Sequence, residues 1–440
     1  MSVKLDQTID YTAQDLESSS LSHMKLVPLS GNQTQTVGTA GVDITFEIPV
    51  QAVNLARSYF YASVSIPAQG ADDYSWVHRG IVPFSSMQLF TRGGQYLLNL
   101  QERATDYSRI VMSADCTNDE LENGSEEGQL YPTPDAKSLV AQSGANGSVA
   151  APYKEQQYLS VSGNNAIQTY KIIFPMSQLK ETILAVDKSI LFREVIVCKF
   201  KLAPKGDIAW QNGDATTPDA GDNEDLAGDI TYSDIAFFVA QERNASIVQA
   251  LNAQTETQEG FSLLVPYPST FTNIRTSAQQ NVSLRLNRSH GASLKAIKHT
   301  VFRNSGANLQ RSDRYERDNK TQTKATSYYV NLNNNRLTEF NIDSAKGEDW
   351  MVLRQKLRQS PAYNREIYQL NWFHEDDFSN YADKMSDMKT KDTNCMSGIS
   401  LNEEIRWDYY STCAVASHRH FTVVHGQKVL SINRSGIVIG

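Results

Sequence analysis

Residues 42–50 read VDITFEIPV, with Val42, Ile44, Phe46, Ile48 and Val50 alternating with Asp43, Thr45, Glu47 and Pro49. Successive side chains of an extended chain point to opposite faces, so a period of two predicts a strand with one face buried. The pattern continues outward from there. Phe60, Ala62, Val64 and Ile66 share a face in the next segment. Residues 86–100, SMQLFTRGGQYLLNL, set two apolar runs around Gly93-Gly94, which is a hairpin signal. Further strands are expected at 168–174, 191–202 and 231–240. In 191–202, Phe192, Ile196, Cys198, Phe200 and Leu202 fall on one side, which makes Cys198 a small core hydrophobe rather than a reactive thiol.

The alternation restarts near residue 260. Phe261, Leu263, Val265 and Tyr267 alternate, then Val282, Leu284 and Leu286, then segments 294–302, 326–332, 337–342, 403–409, 420–425 and 427–432. Two short helices are expected. One spans 177–187, with Ser177 as N-cap and Leu179, Ile183 and Leu184 on one face. The other spans 348–358, with Trp350, Leu353 and Leu357 at helical spacing. Polar stretches at 113–150, 204–229 and 374–399 read as loops, and 1–40 reads as an extended N-terminal arm. Each half thus offers about six to eight strands with no long helices between them, which argues against a parallel α/β sheet. The fold class that fits is all-β: two tandem antiparallel sandwiches with short helices in loops, over 41–248 and 249–440. A loose internal similarity between DIAFFVAQERNASIV (234–248) and HFTVVHGQKVLSINRSGIV (420–438) agrees with a duplicated unit.

Composition narrows the function. The chain of 440 residues is 40% hydrophobic and 20% charged, as a folded globular protein is. Its net charge of −8 supplies no basic footprint for nucleic acid or an anionic membrane. The arm sets Lys4 and Lys25 against Asp6, Asp10, Asp15 and Glu17, so direct nucleic-acid binding is not expected. The start, MSVKLDQTID, lacks a charged segment followed by an apolar run, so no signal peptide is expected, and no segment is apolar enough to span a bilayer. Cys116, Cys198, Cys395 and Cys413 are scattered and read as free thiols.

Three stretches carry a family resemblance. They are VNLARSYFYASVSIP with WVHRGIVPFSSMQLFTRGGQYLLNL, then PMSQLKETILAVDKSILFREVIVCKFKLAP, then the second-half series LLVPYPSTFTN, VSLRLNRSHGASLKAIKHTVF, YYVNLNNNRLTEFNID and REIYQLNWFHEDDF. In block order over roughly residues 40–440 they resemble the double jelly-roll major capsid proteins of eukaryotic DNA viruses, especially the polinton-like and adintovirus-like group. The resemblance implies two fused jelly rolls, homotrimers forming pseudo-hexagonal capsomers, and an icosahedral virion shell. It also implies neighbouring capsomers, penton proteins and minor capsid proteins as partners. The arm is a candidate to brace neighbours or to touch minor proteins or an inner membrane. The aromatic cluster Trp350, Tyr363, Tyr368 and Trp372 offers trimer-interface anchors, and burial within the subunit is the other reading of the same residues. Loops 113–150 and 204–229 are candidates for outward towers.

No catalytic residue, cofactor or metal is expected. The chain lacks a phosphate-binding loop, a dinucleotide fingerprint, a G-x-S-x-G elbow and an H-E-x-x-H pair. The best metal candidates are His418, His420 and His425, and they read as ordinary strand histidines. The acidic 204–229 stretch lacks the spacing of a calcium loop. Glu375-Asp376-Asp377 and Glu403-Glu404 read as solvated acids in loops or at strand starts. Arg311, Arg314, Arg317, Lys320 and Lys324 interleave with Asp313, Glu316 and Asp318, as in a solvated loop. The alternative readings are a jelly-roll carbohydrate-binding protein or glycosidase, with an exposed aromatic platform and a carboxylate cleft, and a viral vertex or attachment protein.

Overall fold

The computed structural model describes residues 19–67, 74–78, 83–101, 104, 107, 158–160, 168–212, 226, 228–303, 325–337, 340–343, 348, 374–378, 398–413 and 418–440. In the first half, Leu21–Leu26 pairs with Ile230–Glu242, which pairs with Ala52–Ile66; the last of these carries both Gln168–Pro175 and Ser189–Leu191 on its far side. The facing sheet runs Asp43–Ile48, Ile196–Leu202, Phe84–Thr91, Tyr96–Leu100. The second half repeats this order. Phe261–Arg275 pairs with His418–Asn433, then Ser293–Arg303, then His374–Asp377 and Ile399–Ser400. The facing sheet runs Gln279–Leu286, Ile405–Cys413, Ala325–Leu332, Asn335–Arg336. Every pairing among the described residues is antiparallel; Leu21–Leu26 lies beside Ile230–Glu242, the last strand of the first half, and Phe261–Arg275 lies beside His418–Asn433, which the short C-terminal strand Gly436–Ile439 follows. That is jelly-roll connectivity, present twice.

The alternating segments become strands because their inward residues close a shared core. Ile44, Phe46 and Ile48 are buried from one strand, and Phe60, Ala62, Val64 and Ile66 from another. Phe192, Ile196, Cys198, Phe200 and Leu202 are likewise buried. The Phe84–Thr91/Tyr96–Leu100 hairpin turns through Gly94 at φ +87°, a backbone region that glycine enters without strain. Val50, at the end of the opening stretch, is left exposed beyond the strand end.

Several expectations are corrected. No continuous helix spans 177–187. Glu181 sits at φ +56°, which interrupts the helical ladder and leaves two 3-10 turns, Met176–Gln178 and Ile183–Ala185. Thr182, not Ser177, caps the second of them by accepting from the Leu184 amide at 3.1 Å. Near the expected 337–342 strand the described residues form the short strands Asn335–Arg336 and Ile342–Asp343, with 338–339 outside the described residues, while 420–432 is one continuous strand. Within 204–229, Lys205–Ile208 is a helical turn and Ala209–Asn212 a strand that pairs with Tyr74–His78. Part of the expected arm joins the first sheet, through Leu21–Leu26 and through Gln35–Val37. The expected helix at 348–358 and the basic 311–324 run lie outside the described residues, apart from residue 348.

Across the junction between the halves, Ala245–Thr255 forms an amphipathic helix that periodicity had not revealed. Asn244 caps it by accepting from the Ser246 amide at 2.9 Å, and its Ile247 and Leu251 close over Ala52 and Leu191. The two rolls share one contiguous apolar core. Glu194, between the first-roll strands Ser189–Leu191 and Ile196–Leu202, accepts from the amides of Gly93 and Ile437, each at 3.2 Å, and so ties the Phe84–Thr91/Tyr96–Leu100 hairpin to the C-terminal strand Gly436–Ile439.

Candidate functional site

The proposed trimer anchors Trp350, Tyr363, Tyr368 and Trp372 lie outside the described residues. What the described residues bring together is a histidine core inside the second sandwich. His299 comes from Ser293–Arg303, His374 from His374–Asp377, and His418 and His420 from His418–Asn433. All four are buried. The reason is register: His299 is in phase with Ile297 and Val301, and His418 and His420 are in phase with Thr422 and Val424, so each falls on the inward face of its strand.

The opposite sheet faces them with Gln280, Tyr328, Trp407 and Tyr409, all buried. Nδ1 of His299 lies 2.8 Å from Oγ1 of Thr422, and its Nε2 lies 3.2 Å from Nδ1 of His420. Nε2 of His420 bonds Oε1 of Gln280. The Gln280 amide nitrogen donates to the Ser277 carbonyl at 2.6 Å and lies 3.1 Å from Nδ1 of His418. A second chain runs beside it. His374 sits 3.3 Å from the Tyr328 hydroxyl and 3.1 Å from Oδ1 of Asp376, whose Oδ2 accepts from the Trp407 indole at 2.9 Å. The rings pack closely, with His299 4.1 Å from Tyr409 and 5.3 Å from His420 between centroids. A buried polar group without a partner costs roughly 1–3 kcal/mol, and His299 and His420 avoid that cost by meeting a partner at both ring nitrogens.

Electrostatics follow from burial. Desolvation drives His299 well below the ordinary imidazole value; His420 and His374 push the same way, and Asp376 opposes them. Burial also lowers His420 to about 3, helped by His418 and Arg275. Cys413 is buried, and its thiol is pushed up to about 11. The three histidines considered as metal ligands do not converge: His425 falls on the other face of the sheet, 6.2 Å from the Tyr107 ring. Among the described residues, no group of three or more His, Cys, Asp or Glu could hold a metal ion.

Glu375 and Asp376 are not solvated loop acids. They lie in a buried strand, held there by pairing with Ser293–Arg303, and alternate to opposite faces. The outer face of the second sandwich carries a groove of about 360 Å³ bordered by Asn281, Ser327, Tyr329, Tyr410 and Thr412. Tyr329 stacks on Tyr410 at 4.8 Å, and Arg336 lies 4.3 Å from the Tyr329 ring centroid. Tyr329 is therefore covered by its own neighbours and is not an open platform for a sugar ring.

Sequence reasoning weighed His418 and His420 but missed His299, His374 and Gln280. The signal that could have found them was phase: a polar residue standing where the alternation calls for an inward one.

Repeated jelly-roll connectivity across one chain defines a double jelly-roll protein. The fold is the one seen in viral major capsid proteins. VP54 of PBCV-1, in the crystal structure fitted into a cryo-EM reconstruction of the virophage Sputnik, matches at TM-score 0.55 and 10% identity over 96% of this chain and 97% of that one. The mavirus major capsid protein matches at TM-score 0.52 and 9% identity, over 98% and 93%. The 3.5 Å structure of the Sputnik virophage matches at TM-score 0.50 and 10% identity, over 96% and 88%. No family model matches the chain, and no curated protein matches its sequence.

Proposed function

We propose that this chain is the major capsid protein of an icosahedral DNA virus and acts by assembling with copies of itself. One observation carries the reading: a single jelly-roll topology occurs twice in tandem and superposes nearly end to end on capsid proteins of the same two-roll design. Three such chains present six similar sandwiches around a threefold axis, which is a pseudo-hexagonal capsomer that can tile a shell. A threefold ring needs heterologous contacts that close after three steps. An obligate interface of this kind buries on the order of 2,000 Å² or more.

In this reading the contacts between subunits use the sandwich flanks, with Trp350, Tyr363, Tyr368 and Trp372 as candidate anchors. Neighbouring capsomers, penton proteins and minor capsid proteins are the further partners, and the protein has no catalytic role. The net charge of −8 supports shell building without direct genome binding. The carbohydrate-binding and glycosidase alternatives lose support from the covered Tyr329 ring and from Asp376, whose carboxylate is engaged by Trp407 in the core.

Size-exclusion chromatography with light scattering and negative-stain microscopy of the expressed full chain test the proposal. Trimers with a pseudo-hexagonal outline are expected, and a monomer at micromolar concentration overturns it.

A further inference from the structure

The donors and acceptors of the histidine core fix where its protons sit. The Gln280 amide nitrogen faces the Ser277 carbonyl, which sets the amide orientation and leaves Oε1 as an acceptor. Nε2 of His420 must therefore carry a hydrogen to bond Oε1. A neutral His420 then has a bare Nδ1, which accepts from Nε2 of His299. The remaining Nδ1 of His299 accepts from the Thr422 hydroxyl. The chain runs one way, from Thr422 through His299 and His420 to Gln280, and it is complete with both imidazoles neutral. No carboxylate is among the hydrogen-bond partners of either ring.

The groups facing this chain come from every strand packed on it. His418 and Thr422 share the His420 strand, Arg275 ends the neighbouring Phe261–Arg275, and His374 and Asp376 flank His299. From the opposite sheet come Gln280, Tyr328, Trp407, Tyr409 and Cys413. Asp376 is the acid of this group, and its oxygens face His374 and Trp407. Lys298 and Glu375 pair in register on the other face of the sheet.

We propose that this core is an acid-sensitive lock, in which a proton on either imidazole breaks the one-way chain and opens the second sandwich. A proton on Nδ1 of His420 would meet the N–H of His299 head to head. Relief requires His299 to move its hydrogen to Nδ1 and Thr422 to turn and accept it. The charge still remains in an aromatic pocket without a carboxylate partner. In the unfolded chain the same rings bind protons at their ordinary value of about 6.5. Because the folded values are lowered, their stabilisation is complete above about pH 6.5 and is lost as pH falls toward the folded values, which for His420 is about 3. Each histidine raises the unfolding constant about tenfold per pH unit in that window, and the two together about a hundredfold. Where the capsid reading also holds, on which this consequence rests, a shell of such subunits loosens on entering an acidified compartment.

The test is urea unfolding of the full chain from pH 7.5 to 5.0, comparing the native protein with H299Q and H420Q. Glutamine keeps hydrogen-bonding capacity and does not titrate. Each variant is expected to lose about one tenfold step per pH unit from the native slope. Equal slopes in native and variant proteins overturn the proposal. Should either variant fail to fold, NMR of ¹⁵N-histidine-labelled native protein decides: two rings still neutral at pH 5.5 in the folded state support the lock, and all rings titrating near 6.5 overturn it. The slope is read whatever the oligomeric state, while the sizing experiment at pH 7.5 reads assembly alone, so failure of one is distinct from failure of the other.

Discussion

Trp407 donates its indole N–H to the Asp376 carboxylate at 2.9 Å, and both residues are buried. They belong to opposite sheets of the second sandwich, so this one bond spans the core. Trp407→Phe removes the donor and leaves a small void beside a buried acid. The expected loss is about 3 kcal/mol, since a hydrogen bond to a charged group contributes roughly 1.5–3 kcal/mol and the void adds to it. Urea unfolding at pH 7.5 checks this, and an unchanged midpoint would refute the role of the pair.

Glu242 should anchor the N-terminal segment. It accepts from the Ser19 hydroxyl at 2.6 Å, the Ser20 and Asn244 amides at 2.9 Å, and the Ser189 hydroxyl at 3.2 Å. Burial pushes its carboxyl up, but these bonds outweigh it and hold the group below the usual range. Its stabilisation is therefore present above the ordinary carboxylate value of about 4.3 and is lost as pH falls toward the lowered folded value. Glu242→Ala is expected to cost about 2 kcal/mol at pH 7. It should also speed proteolysis near residue 20, read by mass spectrometry of timed digests.

A side chain at Gly426 has nowhere to go. An added Cβ would lie 2.1 Å from the His290 carbonyl oxygen and 3.2 Å from that of Tyr267. Both obstacles are backbone, so relief requires strand displacement. Gly426→Ala is expected to destabilise by about 2 kcal/mol or more, seen as a lowered Tm in calorimetry.

Arg57 provides the contrast. It makes a two-pronged pair with Asp187, Nε at 3.0 Å and Nη2 at 2.5 Å, but the side chains are 61% and 47% exposed. Solvent screening limits such a pair, so Arg57→Ala should cost less than about 1 kcal/mol, a cost that shrinks further in 1 M salt. A loss as large as that of Trp407→Phe would contradict this ranking.

Residues 42–50 and 86–100 show how much of the fold was legible locally. A strand buried on one face must alternate, and a tight hairpin must turn through glycine, so both were readable without knowing their partners. The restart at Phe261 exposed the duplication for the same reason. The 177–187 segment was misread because its apolar spacing serves burial in two separate turns, and the left-handed Glu181 that divides them leaves no mark in periodicity. The Ala245–Thr255 helix went unseen because its apolar face is narrow, with Ile247 and Leu251 closing over Ala52 and Leu191.

The sequence by itself determined the class of architecture: two all-β units in series, mildly acidic, with Cys198 in a core. It did so because strand period, turn residues and charge are properties of neighbours along the chain. Only the tertiary structure decided the strand order that makes each unit a jelly roll, and only it brought His299, His374, His420 and Gln280 together. Those residues are separated by up to 140 positions, as between Gln280 and His420. Their meeting depends on which strands pair and which sheets face, and no local pattern of polar residues encodes that.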